Sequence, residues 1–269
     1  MGVSLIITTY ERPDALQVVL ESVASQRTPP AETIVADDGS GTSTTAVVQR
    51  FAAAHSNPLI HVRQEHRGFR VTRLRNLAIR AASGDYLVFV DGDMLLHPQF
   101  VADHLAVARA GFFTQGVRIP LCARTTSRVL AADEPGSPKP TTRGAGLRRL
   151  YGMRAPRVAR LLRRTANGLL AIKGCNQAYW RSDLLRVNGF NEEIEGWGPE
   201  DKELAARLAQ AGVRRQSLLF AGIAWHLHHE PASRARRAAN EQILRDSIAN
   251  RSTRCARGLD SHQPDKTVS

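Results

Sequence analysis

The chain has 269 residues and a formal net charge of +12, with 42% hydrophobic and 23% charged residues. This composition is typical of a folded globular protein, and the length suffices for one large domain. No run approaches the ~18 apolar residues of a membrane-spanning helix, and the apolar run from Val3 leaves no room for a signal peptide, so we expect a cytoplasmic protein.

The first 117 residues alternate short apolar runs with amphipathic stretches. Strands are predicted at 3–8, 32–36, 59–62, 86–90 and 111–117, and helices at 13–25, 42–54, 72–82 and 98–109. Strands that alternate with helices indicate an α/β fold with a mostly parallel sheet that is covered by helices on both faces.

Proline and glycine residues interrupt this pattern after residue 120, and a basic helix is predicted at 147–164. Order then resumes with a short strand after 171, helices near 182–187 and at 199–211, a strand at 217–224 and an Arg-rich helix at 233–250. We expect the tail, 258–269, to be disordered. The predicted divisions are 1–117, a basic insertion at 118–170, the second half of the same domain at 171–232, and a C-terminal helix and tail at 233–269.

Polar clusters follow three of the predicted strands, at 8–12, at 37–40 and at 91–93. Parallel strands place their carboxyl ends at one edge of a sheet, where ligands bind. Each cluster alone could be a turn with a helix cap. Together they bring five carboxylates to one edge, where they repel each other unless a cation or donor groups satisfy them. A divalent ion would do so and leave positions open for diphosphate oxygens.

These segments resemble a family 2 glycosyltransferase of the GT-A, Rossmann-like fold. The resemblance rests on Thr-Thr-Tyr-Glu-Arg-Pro at 8–13, Val-Ala-Asp-Asp-Gly-Ser at 35–40, Arg-Asn at 75–76 and Gly-Asp-Tyr through Asp-Gly-Asp at 84–93. It implies a nucleoside-diphosphate sugar donor, with UDP as the expected carrier, and a divalent metal, Mn²⁺ or Mg²⁺.

The resemblance also implies roles for single residues. Thr8 and Tyr10 line the nucleotide pocket, Asp38 recognises the base, Asp91 contacts ribose or metal, and Asp93 is a metal ligand. The implied contacts of the nucleotide and diphosphate are Thr8, Tyr10, Arg12, Asp38, Arg70, Arg75, Asp91 and Gly92.

A second cluster, Gly-Trp-Gly-Pro-Glu-Asp-Lys-Glu, occupies 196–203. Its proline and acidic residues suit the first turn of a helix, so it could be only a well-capped helix start. It also resembles the Gly-Trp-Gly-x-Glu-Asp motif of galactosyltransferase-like C-terminal regions. That resemblance implies that Asp201 is the general base, that Glu200 contacts donor or acceptor, and that Trp197 and Gly198 lie against the sugars. A base beside a metal-bound donor fits direct displacement with inversion.

Three histidines lie within residues 226–229, directly after a predicted strand, and this density favours metal binding over core packing. Related enzymes place a metal-binding histidine there, which makes His226 the first candidate and His229 the second, with His228 left open. Asn176 in the segment 173–178 either contacts the donor sugar or is a satisfied polar group at a strand end.

The basic charge is concentrated in two segments. Residues 124–164 carry a net +9 and residues 233–258 a net +5, so the remainder is nearly neutral. Within 147–164, arginines are mixed with apolar residues. This pattern fits a solvated charged helix, an element that lies on an anionic membrane, or an element that binds an anionic acceptor. A lipid-linked or lipopolysaccharide acceptor at the inner face of the cell membrane would explain this charge.

Two other functions fit the sequence less well. Nucleotidyl transfer usually needs a glycine-rich loop after the first strand, and residues 8–12 contain no glycine. A nucleic-acid-binding protein would suit the net charge, but the acidic sheet edge would repel phosphates and no recognition motif is visible. We therefore expect an inverting glycosyltransferase that acts on a glycan or glycolipid acceptor and has no nucleic-acid partner. Surface polysaccharide or lipopolysaccharide assembly is the expected setting.

Overall fold

The computed structural model describes residues 1–132, 150–162, 165–166, 169, 172–230 and 235–262. The strands are β1 (Val3–Thr9), β2 (Glu32–Asp37), β3 (Leu59–Arg63), β4 (Tyr86–Asp91), β5 (Met94–Leu96), β6 (Phe112–Gln115), β7 (Val117–Pro120), β8 (Thr165–Ala166), β9 (Asn176–Trp180), β10 (Arg214–Ser217) and β11 (Ile223–His226). The helices are α1 (Pro13–Ala24), α2 (Thr42–Ala54), α3 (Val71–Ala81), α4 (Phe100–Val107), α5 (Ala123–Leu130), α6 (Pro156–Leu161), α7 (Arg181–Arg186), α8 (Glu200–Gln210) and α9 (Arg237–Ala249), followed by a 3-10 turn at Leu259–Ser261.

The main sheet has eight strands in the order β3-β2-β1-β4-β9-β6-β10-β8. Strands β1 to β4 run parallel, as do β6 and β10, whereas β9 is antiparallel to both of its neighbours and β8 to β10. Leu5 and Ile7 of β1 pack into one core cluster and Ile6 into another, so this strand is buried on both faces. The predicted α/β fold with a mostly parallel sheet is therefore confirmed.

A second sheet of three strands, in the order β5-β11-β7, lies next to the functional edge. Strand β11 is antiparallel to β5, with His226 opposite Met94, and parallel to β7. The N–H of Leu227 donates to the carbonyl of Asp93 at 2.9 Å. This small sheet therefore carries the end of β11, with its histidines, to the Asp-Gly-Asp segment.

Two predicted strands are wrong in extent because the chain changes sheets within them. The predicted strand 111–117 ends at Gln115 in the main sheet, and Val117 already belongs to the small sheet. The predicted strand 217–224 is likewise divided between β10 and β11, with Phe220 at a positive φ of 59° in the turn. A continuous apolar run shows that a segment is buried but not which sheet it joins.

Three further predictions are wrong in part, two of them in the basic insertion and one in the C-terminal tail. Helix α5 occupies part of the region predicted as loop, and within the described part of 147–164 the α-helix is confined to Pro156–Leu161. Pro156 begins that helix because its ring prevents a helix from continuing through it. Residues 147–149 and 163–164 lie outside the described residues.

The tail, predicted to be disordered from residue 258, is instead ordered as far as residue 262, because Leu259 is buried in the core. Residues 263–269 lie outside the described residues.

The predicted boundaries at 117, 170 and 232 stay predictions, although β9 from the third segment lies between β4 and β6 of the first. Among the helices that the structure describes, none is both long enough and apolar enough to cross a membrane.

Candidate active site

The carboxyl ends of β1, β2 and β4 meet at one edge of the main sheet, because Thr9 pairs with Asp37 and Thr8 with Asp91. The hydroxyl of Thr8 donates to Oδ1 of Asp91 at 3.1 Å, and the N–H of Gly92 donates to the carbonyl of Thr8 at 2.7 Å. A Cβ at position 92 would lie 2.9 Å from that carbonyl oxygen. Glycine is needed here because the chain after β4 passes directly against β1.

The two aspartates after β2 have different surroundings. Asp37 is fully buried and accepts from the N–H of Ser40 at 2.8 Å, with His61 and Arg63 also in contact. Although burial raises the pKa of Asp37, these partners lower it overall, so this carboxylate holds the turn in place. Asp38 is also buried, but its partners are side chains of the following loop, Gln64 and His66.

Tyr10 and His66 form a stacked pair beside Asp38. Their ring centroids are 4.2 Å apart with an interplanar angle of 10°, and Nδ1 of His66 lies 3.2 Å from Oδ2 of Asp38. Tyr10 remains 42% exposed, so a ring face or edge is open to a ligand. The sequence did not single out His66. His66 follows the third predicted strand, whose carboxyl end lies at the same sheet edge. That position in the sequence could have marked it as a candidate site residue.

Arg75 on α3 is buried, and its guanidinium joins two carboxylates. Nη2 lies 3.2 Å from Oδ1 of Asp91, and Nη1 lies 3.2 Å from Oε1 of Glu200. The guanidinium also lies over the ring of Phe190, 5.3 Å from its centroid. Although burial lowers the pKa of Arg75, the charges of Asp91, Glu200 and Asp201 raise it. Arg75 therefore stays charged and fixes the end of β4 against the start of α8.

Glu200 and Asp201 occupy the first turn of α8, at the positive end of the helix dipole. Burial and the adjacent charge of Asp201 raise the pKa of Glu200 to about 7, although Arg75 opposes the rise. Burial likewise raises the pKa of Asp201, against the effects of Arg75 and of the N–H groups of Lys202 and Gly174. The pair can therefore take up a proton near neutral pH, which suits general acid–base chemistry.

The loop that carries Trp197 is held by α9. Asn240 of that helix is buried, and its amide donates to the carbonyls of Glu195 at 2.8 Å and Trp197 at 3.2 Å. A Cβ on Gly198 would lie 2.6 Å from the Asn240 amide nitrogen, so only glycine lets the helix approach this closely. Trp197 remains 37% exposed, with the guanidinium of Arg237 over its ring at 5.7 Å. The loop is thus rigidly supported and presents an indole to solvent.

The side chains of Asp93, His226 and His229 lie close together. Each offers one ligand atom, and these atoms all lie within 4.8 Å of one another. Nε2 of His229 is 3.0 Å and Nε2 of His226 is 3.4 Å from Oδ2 of Asp93. Oδ1 of Asp93 is buried and has no hydrogen-bond partner among the described residues. Burial lowers the pKa of His226, whereas the hydrogen bond to Asp93 raises the pKa of His229. An unsatisfied carboxylate oxygen beside two imidazoles fits a divalent cation.

Asp91 and His228 lie outside this group of three. The Asp91 carboxylate faces Thr8 and Arg75, which suits the ribose alternative as well as the metal one. His228 is exposed, and its backbone N–H donates to the hydroxyl of Thr126 at 2.8 Å. The choice between the histidines that the sequence left open therefore favours His226 and His229.

The remaining candidates are Arg12, Arg70 and Asn176, and each has partners within the protein. Arg12 pairs with Asp14 at the start of α1, and Arg70 donates to the carbonyl of Glu65 just before α3. Asn176 is fully buried, and its amide bonds to His104 and to the carbonyls of Val117 and Gly222 at 2.9–3.0 Å. This favours the alternative of a satisfied strand-end group over a contact with the donor sugar, because no amide atom is left for a ligand.

Curated relatives share sequence with much of the chain. The validoxylamine A glucosyltransferase of Streptomyces hygroscopicus subsp. limoneus is 33% identical over 221 residues, which cover 78% of this chain and 48% of that protein. The chondroitin synthase of Escherichia coli is 27% identical over 267 residues, which cover 90% of this chain and 37% of the synthase. The chain therefore spans about half the length, or less, of these relatives.

Solved structures share the fold. The mannosyltransferase PcManGT from Pyrobaculum calidifontis, in complex with GDP-Man and Mn²⁺, has a TM-score of 0.62 at 21% identity, covering 92% of this chain and 64% of that one. TarS 1–349 of S. aureus, in complex with UDP-GlcNAc, has a TM-score of 0.61 at 18% identity, covering 93% and 72%. These similarities confirm the GT-A fold.

Two family models cover most of the chain between them. The model of the N-terminal domain of galactosyltransferase matches residues 166–230, the part that contains the Gly-Trp-Gly segment and the histidines. The model of glycosyl transferase family 2 matches residues 4–168, which is more than half of the chain. The chain therefore belongs to glycosyl transferase family 2.

Proposed function

We propose that the protein transfers a sugar, with inversion, from a nucleoside-diphosphate sugar to a hydroxyl group of a glycan or glycolipid acceptor. The observation that carries this proposal is the buried Arg75, which joins Asp91 at the end of β4 to Glu200 at the start of α8. Arg75 therefore holds Asp91, on the proposed donor side, close to the first turn of α8, which carries the proposed base Asp201. The family and the relatives, which include a glucosyltransferase, support the same activity.

We assign the nucleotide to the side formed by β1 and β2. Tyr10 is exposed and would stack on the base, and the buried Asp38 would accept from a base N–H after its loop partners Gln64 and His66 adjust. We assign Thr8 and Asp91, which are hydrogen-bonded to each other, to the ribose or the first phosphate. UDP-linked sugars are the first donors to test, and GDP-linked sugars the second, because the similar structures carry both nucleotides.

Asp93, His226 and His229 would hold the divalent metal, with three ligand atoms in one small group. Two imidazole nitrogens favour a transition ion such as Mn²⁺ over Mg²⁺, which prefers oxygen ligands. When bound, the ion would neutralise the charge that develops on the departing diphosphate. His226 supports this role because its lowered pKa keeps the imidazole neutral and its lone pair available.

Asp201 is assigned as the general base. The acceptor oxygen attacks the anomeric carbon, Asp201 takes the hydroxyl proton, and the bond from the anomeric carbon to the diphosphate oxygen breaks. Glu200 is held by Arg75 and is therefore better suited to orient donor or acceptor hydroxyls. Trp197, exposed on its rigid loop, provides a stacking surface for the acceptor sugar.

We further propose that a basic apolar surface around α6 contacts an anionic membrane or a lipid-linked acceptor. Leu161 is 85% exposed, and Met153 and Val158 are also exposed, next to the exposed Arg157 and Arg160. Apolar side chains among arginines suit an interfacial element. The arginines singled out at 148, 149, 163 and 164 lie outside the described residues. The expected cytoplasmic location, with surface polysaccharide or lipopolysaccharide as the setting, stays a prediction.

The proposed activity is tested by a donor-hydrolysis screen of UDP- and GDP-linked sugars with Mn²⁺ or Mg²⁺ present. We expect metal-dependent release of the nucleoside diphosphate from at least one donor. Replacing Asp201 with Asn should lower turnover by about 10²–10⁴-fold, because the base is lost, while donor affinity is retained.

The matched control for that experiment is Asp246→Asn, an exposed position on α9, which should keep wild-type turnover. A protein that neither binds nor hydrolyses any nucleotide sugar would refute the proposal. If it instead bound DNA with a steep dependence on salt, the nucleic-acid alternative would replace it.

The metal assignment predicts that Asp93→Asn, His226→Gln and His229→Gln each weaken Mn²⁺ binding by at least about tenfold, since each removes one ligand. Affinity should also fall as the pH is lowered, because protonation of His229, whose pKa is raised, competes with the metal. Electron paramagnetic resonance of free Mn²⁺ measures this directly. His228→Gln is the control, and an equal loss in that variant would contradict the assignment.

The surface assignment predicts that Arg157→Gln/Arg160→Gln weakens binding to vesicles containing anionic lipid by about thirtyfold, since each basic residue contributes about 1 kcal/mol near such a surface. Cosedimentation with phosphatidylglycerol vesicles measures the change. Arg27→Gln/Arg50→Gln, which alters two exposed arginines elsewhere, is the charge-matched control. Equal binding of both double variants would exclude a specific role for α6.

A further inference from the structure

Arg118, on β7 of the small sheet, is a partly buried cation. Its Nε is buried and has no hydrogen-bond partner in the part of the chain that the structure describes. Within the described residues no carboxylate pairs with its guanidinium, although Asp91 and Asp93 lie at the same edge. A buried N–H without an acceptor costs free energy, because it has lost its hydrogen bond to water. The missing compensation suggests that the partner of Arg118 arrives with a ligand.

The register of the small sheet places Arg118 on the side of the metal-ligand group. Arg118 is opposite Ala224 of β11, and His226 follows two residues later, so both side chains project from the same face. Ala224 packs into the core cluster that contains Cys175, whereas Ile119 and Trp225 pack into a different cluster on the opposite face. Arg118 therefore lies between His226 and the segment that precedes β9.

The electrostatics agree with this placement. The positive charge of Arg118 contributes to the lowered pKa of His226 and opposes the raised pKa of Cys175. Asp91 and Asp93 also contribute to the raised pKa of Cys175, so Arg118 and these two acids act on the same side chain.

We propose that Arg118 binds an oxygen of the β-phosphate of the donor, on the side of the metal-ligand group remote from the nucleoside. This inference rests on the proposed function. The base is assigned to Tyr10 and Asp38, at the ends of β1 and β2. Strand β7 pairs instead with β11, which carries His226. Arg118 is therefore expected to lie nearer to the terminal phosphate than to the phosphate attached to the nucleoside. A planar guanidinium matches phosphate geometry and stays charged at any relevant pH.

This assignment makes Arg118 a specificity-determining residue for diphosphates. The acids at 91 and 93 repel a phosphate, and a metal that both phosphates can chelate already favours a diphosphate. A fixed guanidinium beyond the metal adds a contact that only a second phosphate can reach. A carboxylate on the transferred sugar is a different anion in the same region, and the experiment below distinguishes the two.

The test is calorimetric titration of the full chain, with Mn²⁺ present, using UDP, GDP, UMP and GMP. Replacing Arg118 with Gln should weaken binding of the diphosphate by about tenfold or more, as expected for a lost charge-assisted hydrogen bond. Binding of the monophosphate should change by less than about twofold on the same grounds. Arg118→Lys should recover part of the diphosphate affinity, because charge remains but the planar fork is lost.

Two controls keep the result interpretable. Arg50→Gln removes an exposed arginine on α2 and should alter neither affinity. Mn²⁺ binding without nucleotide should not be weakened in Arg118→Gln, because the three proposed ligands remain and a nearby positive charge is removed.

Other outcomes would overturn the inference. Equal weakening of diphosphate and monophosphate, or no weakening of either, would contradict it. Loss of affinity for UDP-glucuronic acid alone would assign Arg118 to a sugar carboxylate instead. A wild-type chain that binds neither diphosphate would refute the proposed function itself, whereas normal diphosphate binding by Arg118→Gln refutes only this inference.

Discussion

The site depends on one buried cation. Arg75 is 4% exposed and neutralises Asp91 and Glu200, which come from opposite halves of the chain. The Glu200 side chain is largely buried and would be costly to ionise without such a partner, whereas the Asp91 side chain is 37% exposed. The charges of the neighbouring acids in turn raise the pKa of Arg75 against the effect of burial. Arg75 therefore stays charged because acids surround it, and its charge in turn opposes the rise in the pKa of Glu200.

The fold supplies what this cation requires. Strand β9 lies between β4 and β6, so the segment after residue 172 is built into the same sheet as the first 117 residues. The small sheet then carries His226 to Asp93, and α9 supports the Trp197 loop through Asn240. Arg75 thus links the residues that we propose for the donor to those that we propose for the acceptor. This arrangement explains how acids that would repel each other can occupy one edge.

The strand ends and the residues after them could be predicted from sequence, because burial and strand termination are local signals. Asp93 and His226 were predicted as metal ligands for that reason, together with the family resemblance. His66, Arg118 and Asn240 could not be found this way. Each matters through a partner 28 to 43 residues away or through a strand pairing that no local pattern encodes. The change of sheet after Gln115 put Arg118 outside every predicted cluster.

A double-mutant cycle between Asp91 and Glu200 tests most directly whether Arg75 couples the two sides of the site. The values of kcat/KM for donor hydrolysis are compared in wild type, Asp91→Asn, Glu200→Gln and the double variant, and then again with Arg75→Met. If Arg75 couples the two carboxylates, the coupling free energy from the cycle is about 1 kcal/mol or more when Arg75 is present and much smaller in the Arg75→Met background. Additive effects of the two carboxylates in the presence of Arg75 would contradict it.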